Sequence, residues 1–177
     1  MKRTLAPVLI ALTFSVMFSS TSIAFGETMD ELVKRDGIYY KKFTDVPFTG
    51  KITGQEQGSL KDGKKHGPWM RYHDNGKWSD KGTFKDDKMD GLWVGSYKNG
   101  QLRYRGFYKV GKQHLLWVGY YKTGQLRYKG FYKDGKRHLL WVFYRENGEE
   151  DPSGVTSKKD YVHEGSGTYK DGVRLSD

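Results

Sequence analysis

Four tryptophans, Trp69, Trp93, Trp117 and Trp141, stand at intervals of 24 residues, and the residues around them keep the same register. Unit one runs over 61–84, unit two over 85–108, unit three over 109–132 and unit four over 133–156. Self-similarity at a fixed short period marks a stack of supersecondary units, each burying its apolar face against its neighbours. The chain therefore has one dominant architecture to explain, and any further domain must fit outside these residues.

Each unit holds two turn signals. One is Asn75-Gly76, Asn99-Gly100, Thr123-Gly124 and Asn147-Gly148; the other is Asp62-Gly63, Val110-Gly111 and Asp134-Gly135, with Asp86-Asp87 as the variant. Asn, Asp and Gly tolerate the positive φ of tight hairpin turns. Between the turns lie β-forming aromatic and branched runs, such as Trp117–Tyr121 (strand A) and Gln125–Tyr132 (strand B). In strand B, Leu126, Tyr128, Gly130 and Tyr132 alternate with Gln125, Arg127, Lys129 and Phe131, which predicts a packed side and an outward side. Unit two repeats this with Leu102, Tyr104, Gly106 and Tyr108, and unit one with Trp78, Asp80, Gly82 and Phe84. The glycines at one rung, Gly82, Gly106 and Gly130, imply that an aromatic ring of a neighbour lies over each. Strand A offers only its tryptophan as an inward anchor. The predicted fold is all-β: an elongated antiparallel meander of stacked hairpins forming a single-layer curved sheet. Its eight repeat strands would extend roughly 40 Å.

Residues 27–60 read as lead-in strands and an N-terminal cap, with strands at Ile38–Phe43 and Thr49–Thr53 and a break at Val46-Pro47. An insertion over 149–166, rich in Glu, Ser, Gly and Lys, interrupts the register, and 157–177 reads as a partial repeat and cap. Within it, Gly167–Gly172 echoes the end of a strand B and its turn.

Residues 1–26 combine Lys2 and Arg3, an apolar run from Leu5 to Phe18, and small residues suited to cleavage after Ala24 or Gly26. This is the layout of a cleaved secretory signal, and the run is too short for a spanning helix of ~20 residues. The expected location is periplasmic or secreted. With no Cys, the chain has neither a lipid-anchor cysteine, nor a disulfide framework, nor a thiolate metal site. Removing the signal leaves 29 basic against 21 acidic residues, a formal +8, which favours acidic proteins, anionic lipids or envelope polymers as partners. Nucleic acid is not expected after export.

The unit resembles the MORN-repeat family in its bacterial variant form. The matching segments are K-D-G-K-R-H at 133–138, K-D-G-K-K-H-G-P-W at 61–69 and N-G-Q-L-R-Y-R-G at 99–106. Asp36–Phe43 and Pro47–Gly50 also resemble the lead-in of such proteins. The resemblance extends from about residue 30 to the end. It implies a curved or rod-like hairpin stack acting as a binding scaffold. Many bacterial members carry an antitoxin label, and other members are linked to protein scaffolding or phospholipid binding. Combined with the export signal, that implies an immunity-like role in the envelope. Units three and four read His-Leu-Leu-Trp where unit one reads His-Gly-Pro-Trp, so Leu should alter that turn and add apolar surface.

No nucleophile elbow, H-E-x-x-H or phosphate loop is present. His66, His114 and His138 share one repeat position, but equivalent positions ~10 Å apart cannot share a zinc ion held at ~2.0–2.1 Å. They are read as polar turn residues, and Glu149, Glu150 and Asp151 as a solvated loop. The chain is accordingly expected to be non-enzymatic, with no cofactor and no metal. The candidate partner-binding residues are the outward side of strand B: Lys77, Lys81, Arg103, Arg105, Phe107, Arg127, Lys129 and Phe131. A basic ladder interleaved with Phe suits an anionic, partly apolar partner. A protein partner is the first expectation, and an anionic lipid or envelope polymer the alternative.

Overall fold

The computed structural model describes residues 26–152 and 165–175, so the signal-like segment 1–26 lies outside it except for Gly26. After β1 (Glu27–Thr28) and a single 3-10 turn, β2 (Leu32–Arg35) and β3 (Ile38–Lys41) form a separate two-stranded hairpin. Then follow β4 (Gly50–Thr53), β5 (Glu56–Lys61), the short β6 (Lys64–Lys65) and β7 (Gly67–Tyr72). The regular meander continues through β8 (Trp78–Lys85), β9 (Lys88–Ser96), β10 (Leu102–Lys109), β11 (Lys112–Tyr120), β12 (Leu126–Lys133) and β13 (Lys136–Phe143). It ends with β14 (Gly167–Lys170) and β15 (Val173–Arg174). The order along the main sheet is sequential from β4 to β15 apart from β6, which pairs only with β5, and the sheet is not closed. All its pairs are antiparallel except β1 on β4.

The expected meander is present, with two adjustments. Strand A begins well before its tryptophan, at Lys88 and Lys112, directly after the turn. The fourth hairpin is closed by β14, where Gly167 pairs with Trp141 as Gly130 pairs with Trp117. The insertion therefore falls, in sequence, between the two strands of a complete hairpin, and its residues 153–164 lie outside the described residues.

The two turn classes differ. In the D-G class both central residues have positive φ, as at Asp134 (52°) and Gly135 (84°), the form that matches strand twist in a two-residue hairpin. In the N-G class only the glycine does. The Asn side chain instead accepts a backbone N–H two residues on, as Asn99 Oδ1 does from Gln101 at 3.1 Å. Thr123 can therefore replace Asn.

The core is a row of aromatic rings on one side of the sheet. Trp69, Trp93, Trp117 and Trp141 are 0–3% exposed. Each of the last three leans over the glycine of the preceding unit. A Cβ on Gly82, Gly106 or Gly130 would lie 2.2–2.3 Å from the indole of Trp93, Trp117 or Trp141. The ring predicted over each glycine is thus the next unit's tryptophan. A shift in pairing beside each glycine accompanies an indole N–H bond to a strand-B carbonyl. Trp93 donates to Thr83 (3.1 Å), Trp117 to Phe107 (3.0 Å) and Trp141 to Phe131 (2.7 Å). Phe84, Tyr108 and Tyr132 fill the gaps between indoles edge-on, at centroid distances of 4.8–6.3 Å. At the N-terminal end, Leu32, Ile52 and Leu60 pack with Trp69, and Tyr39 and Phe48 add to that cluster, so the β2–β3 hairpin covers the first unit.

Side chains also bind one unit to the next. His73 bonds Ser96 O (3.0 Å), Tyr97 donates to Tyr120 O (2.8 Å) and Tyr121 to Tyr144 O (2.7 Å). Asn75 and Asn99 donate to Lys98 O and Lys122 O at 2.8 and 2.9 Å.

Candidate functional site

Two faces result. Opposed residues of paired strands share a face, so the pairs Met70–Lys81, Lys81–Val94, Val94–Arg105, Arg105–Val118, Val118–Lys129 and Lys129–Val142 trace one row across the sheet. An apolar residue, Met70 or a valine, alternates with a base throughout its length. Beside it lie the opposed pairs Pro68–Thr83, Leu92–Phe107 and Leu116–Phe131, and Leu140, two residues before Val142 on its strand. This open face carries exposed apolar surface: Leu92 is 49% exposed, Phe107 and Phe131 40% each, Leu116 41% and Leu140 56%. Val118 and Val142 beneath the bases are buried, as expected where long basic stems lie along a strand. Two hollows open on this face. One, of about 490 Å³, is lined by Pro68, Met70, Lys81, Leu92 and Val94; the other, of about 340 Å³, by Leu92, Arg105, Phe107, Leu116 and Val118.

Of the eight residues expected to share the outward side, Lys81, Arg105, Phe107, Lys129 and Phe131 do so. Arg103 and Arg127 do not. A bulge next to the N-G turn shifts the pairing between Leu102 and Tyr104, and again opposite Tyr120, where Leu126 pairs. A bulge inserts one residue and resets the alternation. Arg103 Nη2 consequently reaches Asp80 Oδ1 at 2.8 Å, the same oxygen that accepts the Tyr104 hydroxyl at 2.8 Å. Arg127 lines a cleft with Tyr104 and Tyr128 on that tryptophan face. Lys77 lies in the turn before β8, with its ammonium on Asn99 O at 2.8 Å. The same reset moves Trp78 off the predicted packed side: its ring lies under Lys81 Nζ, 4.7 Å away.

Other expectations are also revised. His114 and His138 are strand residues opposite Phe107 and Phe131, not turn residues, and their Nδ1 atoms are buried with no hydrogen-bond partner among the described residues. Only His66 stands near a turn carboxylate, 3.3 Å from Asp86. No group of three metal-ligating side chains occurs among the described residues. Asp151 is not solvated: it is 1% exposed, 3.8 Å from Arg145. Leu115 and Leu139 leave the local backbone unchanged. They take φ 59°, the left-handed conformation of Gly67 and Gly91 at the same position. The apolar surface expected from these leucines is present, at 51% exposure each.

Sequence reasoning missed Leu92, Leu116 and Leu140. The signal was available: a tryptophan turned inward forces its preceding neighbour outward.

The MORN repeat variant family model matches residues 65–86, 89–109 and 113–134, three consecutive repeats. No curated protein matches the chain. Repeats of this type are generally protein- or membrane-binding modules, and proteins made of them are generally non-enzymatic scaffolds.

Proposed function

We propose that this chain is an exported, non-enzymatic scaffold that binds a protein partner across its open face, in the manner of an immunity protein or antitoxin. The observation that carries this reading is the exposed set Leu92, Phe107, Leu116, Phe131 and Leu140 on the face that carries Lys81, Arg105 and Lys129. An apolar centre with a charged margin is the composition of a specific protein interface. Exposed apolar surface extending over several repeats calls for a covering partner. The basic row selects a partner with an acidic flank, and it disfavours a second copy laid directly face to face, since like charges would meet. Export rests on the signal-like residues 1–26, and places the partner in the periplasm or outside the cell.

The test is capture of envelope proteins on the immobilised chain at low and at moderate salt, with Phe107→Ala/Phe131→Ala beside the natural sequence. One protein retained at both salts and lost in the double variant is the expected result, since truncating central aromatic anchors removes about 2 kcal/mol or more each. The alternating bases favour one second reading, an anionic lipid or polymer. Retention of lipid or polymer alone, abolished at moderate salt by screening and insensitive to the Phe substitutions, would replace the first reading with it.

A further inference from the structure

The tryptophan face carries a feature that the open face does not use. A cleft of about 490 Å³ spans units two to four, lined among others by Tyr97, Arg103, Tyr104, Arg127, Tyr128 and Arg137. Among the described residues its charged lining side chains are three arginines. Arg103 and Arg127 occupy the same bulge position in successive units, where unit one has Ser79 and unit four the buried Asp151. The basic pair is therefore confined to the two central units. Two strands separate its members, so the guanidinium groups are anchored ~10 Å apart.

Each arginine stands next to a tyrosine that also lines the cleft. The Tyr104 ring stacks on Trp117 at 5.5 Å and 16°, and the Tyr128 ring on Trp141 at 5.8 Å and 29°. The rings are held flat and are not free to turn edge-on. Arg103 is oriented by its 2.8 Å bond to Asp80, and its buried Nε donor has no partner among the described residues. Arg137 forms the far wall, with its guanidinium over the rings of Trp141, Phe143 and Tyr169 at 5.0, 5.1 and 5.3 Å.

We infer that this cleft binds an acidic oligosaccharide, with Arg103 and Arg127 each pairing an anionic group and Tyr104 and Tyr128 carrying the sugar rings between them. Guanidinium forks match carboxylate, sulfate and phosphate oxygens. An aromatic ring with a hydroxyl offers an apolar body to a sugar's C–H face and a polar tip to its hydroxyls. A bilayer lipid would need an apolar wall for its chains, and that wall lies on the opposite face. Two Arg–Tyr stations one repeat apart suit a linear ligand whose charge recurs along its length. The inference is independent of the protein-partner reading, because it uses the other side of the sheet.

The experiment is calorimetric titration of the full chain with hexagalacturonate, a sulfated oligosaccharide and a phosphate-bearing oligosaccharide of similar length. Methyl-esterified hexagalacturonate and linear polyphosphate are the controls. At least one acidic oligosaccharide should bind, its neutral counterpart about tenfold or more weakly, and Arg103→Gln and Arg127→Gln should each weaken it about tenfold, the scale of one charge-assisted hydrogen bond. Arg105→Gln/Lys129→Gln, on the open face, should leave it unchanged. Should Arg103→Gln lose the fold through its Asp80 pair, Arg127→Gln carries the test alone. Failure of all three oligosaccharides to bind overturns the inference. So does equal weakening by the open-face variant, and so does polyphosphate binding as tightly as the best sugar. Phe107→Ala/Phe131→Ala binds as the natural chain does, which keeps this outcome separate from that of the partner capture.

Discussion

A glycine lying under an indole cannot gain a methyl group without moving the indole. Gly130 has Trp141 Cδ2 2.2 Å from where its Cβ would be, and Trp141 is held in turn by its bond to Phe131 O. Gly130→Ala should therefore destabilise the chain by about 1–3 kcal/mol, the usual result of overpacking, seen as a lower urea midpoint. Leu115 presents the opposite case. It holds φ 59°, which costs an L-residue ~1–2 kcal/mol, while its side chain is half exposed and gains little from burial. Leu115→Gly should leave stability within about 1 kcal/mol of the natural chain, after glycine's larger loss of backbone freedom is counted. A loss of more than about 2 kcal/mol would show that the leucine packs in a way its exposure does not suggest. A strained leucine retained where glycine would serve is consistent with a role for its side chain in contact with another molecule.

Elements are linked by bonds that a strand pattern does not reveal. Tyr97 and Tyr121 each donate a hydroxyl to the backbone of the following unit, at 2.8 and 2.7 Å. Tyr97→Phe keeps the ring and removes the donor, leaving Tyr120 O without it. The expected cost is about 1 kcal/mol, with faster amide hydrogen exchange in β11 and β12 than in β5 and β7. Much at this scale was legible in the sequence: hairpins, turn positions, the covered glycines and the open-face residues Lys81, Arg105, Phe107, Lys129 and Phe131. The period and the alternation are local properties of the chain. The faces of Arg103 and Arg127 were not legible, because they depend on a bulge set by pairing with the neighbouring strand. A residue count cannot detect an extra residue that only the partner strand defines. The exposed leucines were half legible, hidden by the assumption that strand A began at its tryptophan.

At the scale of the whole molecule, the aromatic row ties stability to alkaline pH. Burial raises the phenol of Tyr128 to about 12, and raises those of Tyr108 and Tyr132 as well. Burial, then the Asp80 carboxylate, raises Tyr104. The ionised forms are disfavoured in the fold relative to the unfolded chain, where a tyrosine titrates near pH ~10. Their contribution is therefore fully present below that pH and is lost as pH rises from there through about 12. Denaturant titrations should give a flat midpoint from neutral pH to pH ~9 and a steep fall above ~10. Tyr128→Phe should make that fall shallower.

The repeating cross-unit bonds run both ways: tyrosine hydroxyls reach a carbonyl of the following unit, and indoles a carbonyl of the preceding one. Nothing in them refers to how many units precede or follow. A 24-residue segment such as 109–132 duplicated in place would offer its predecessor the same carbonyl and indole, and its successor the same hydroxyl and carbonyl. The molecule is in that sense a ruler with a mark every two strands, ~10 Å. Its length can change by whole marks without redesign of either end, so the reach of whatever it holds is set by repeat number alone.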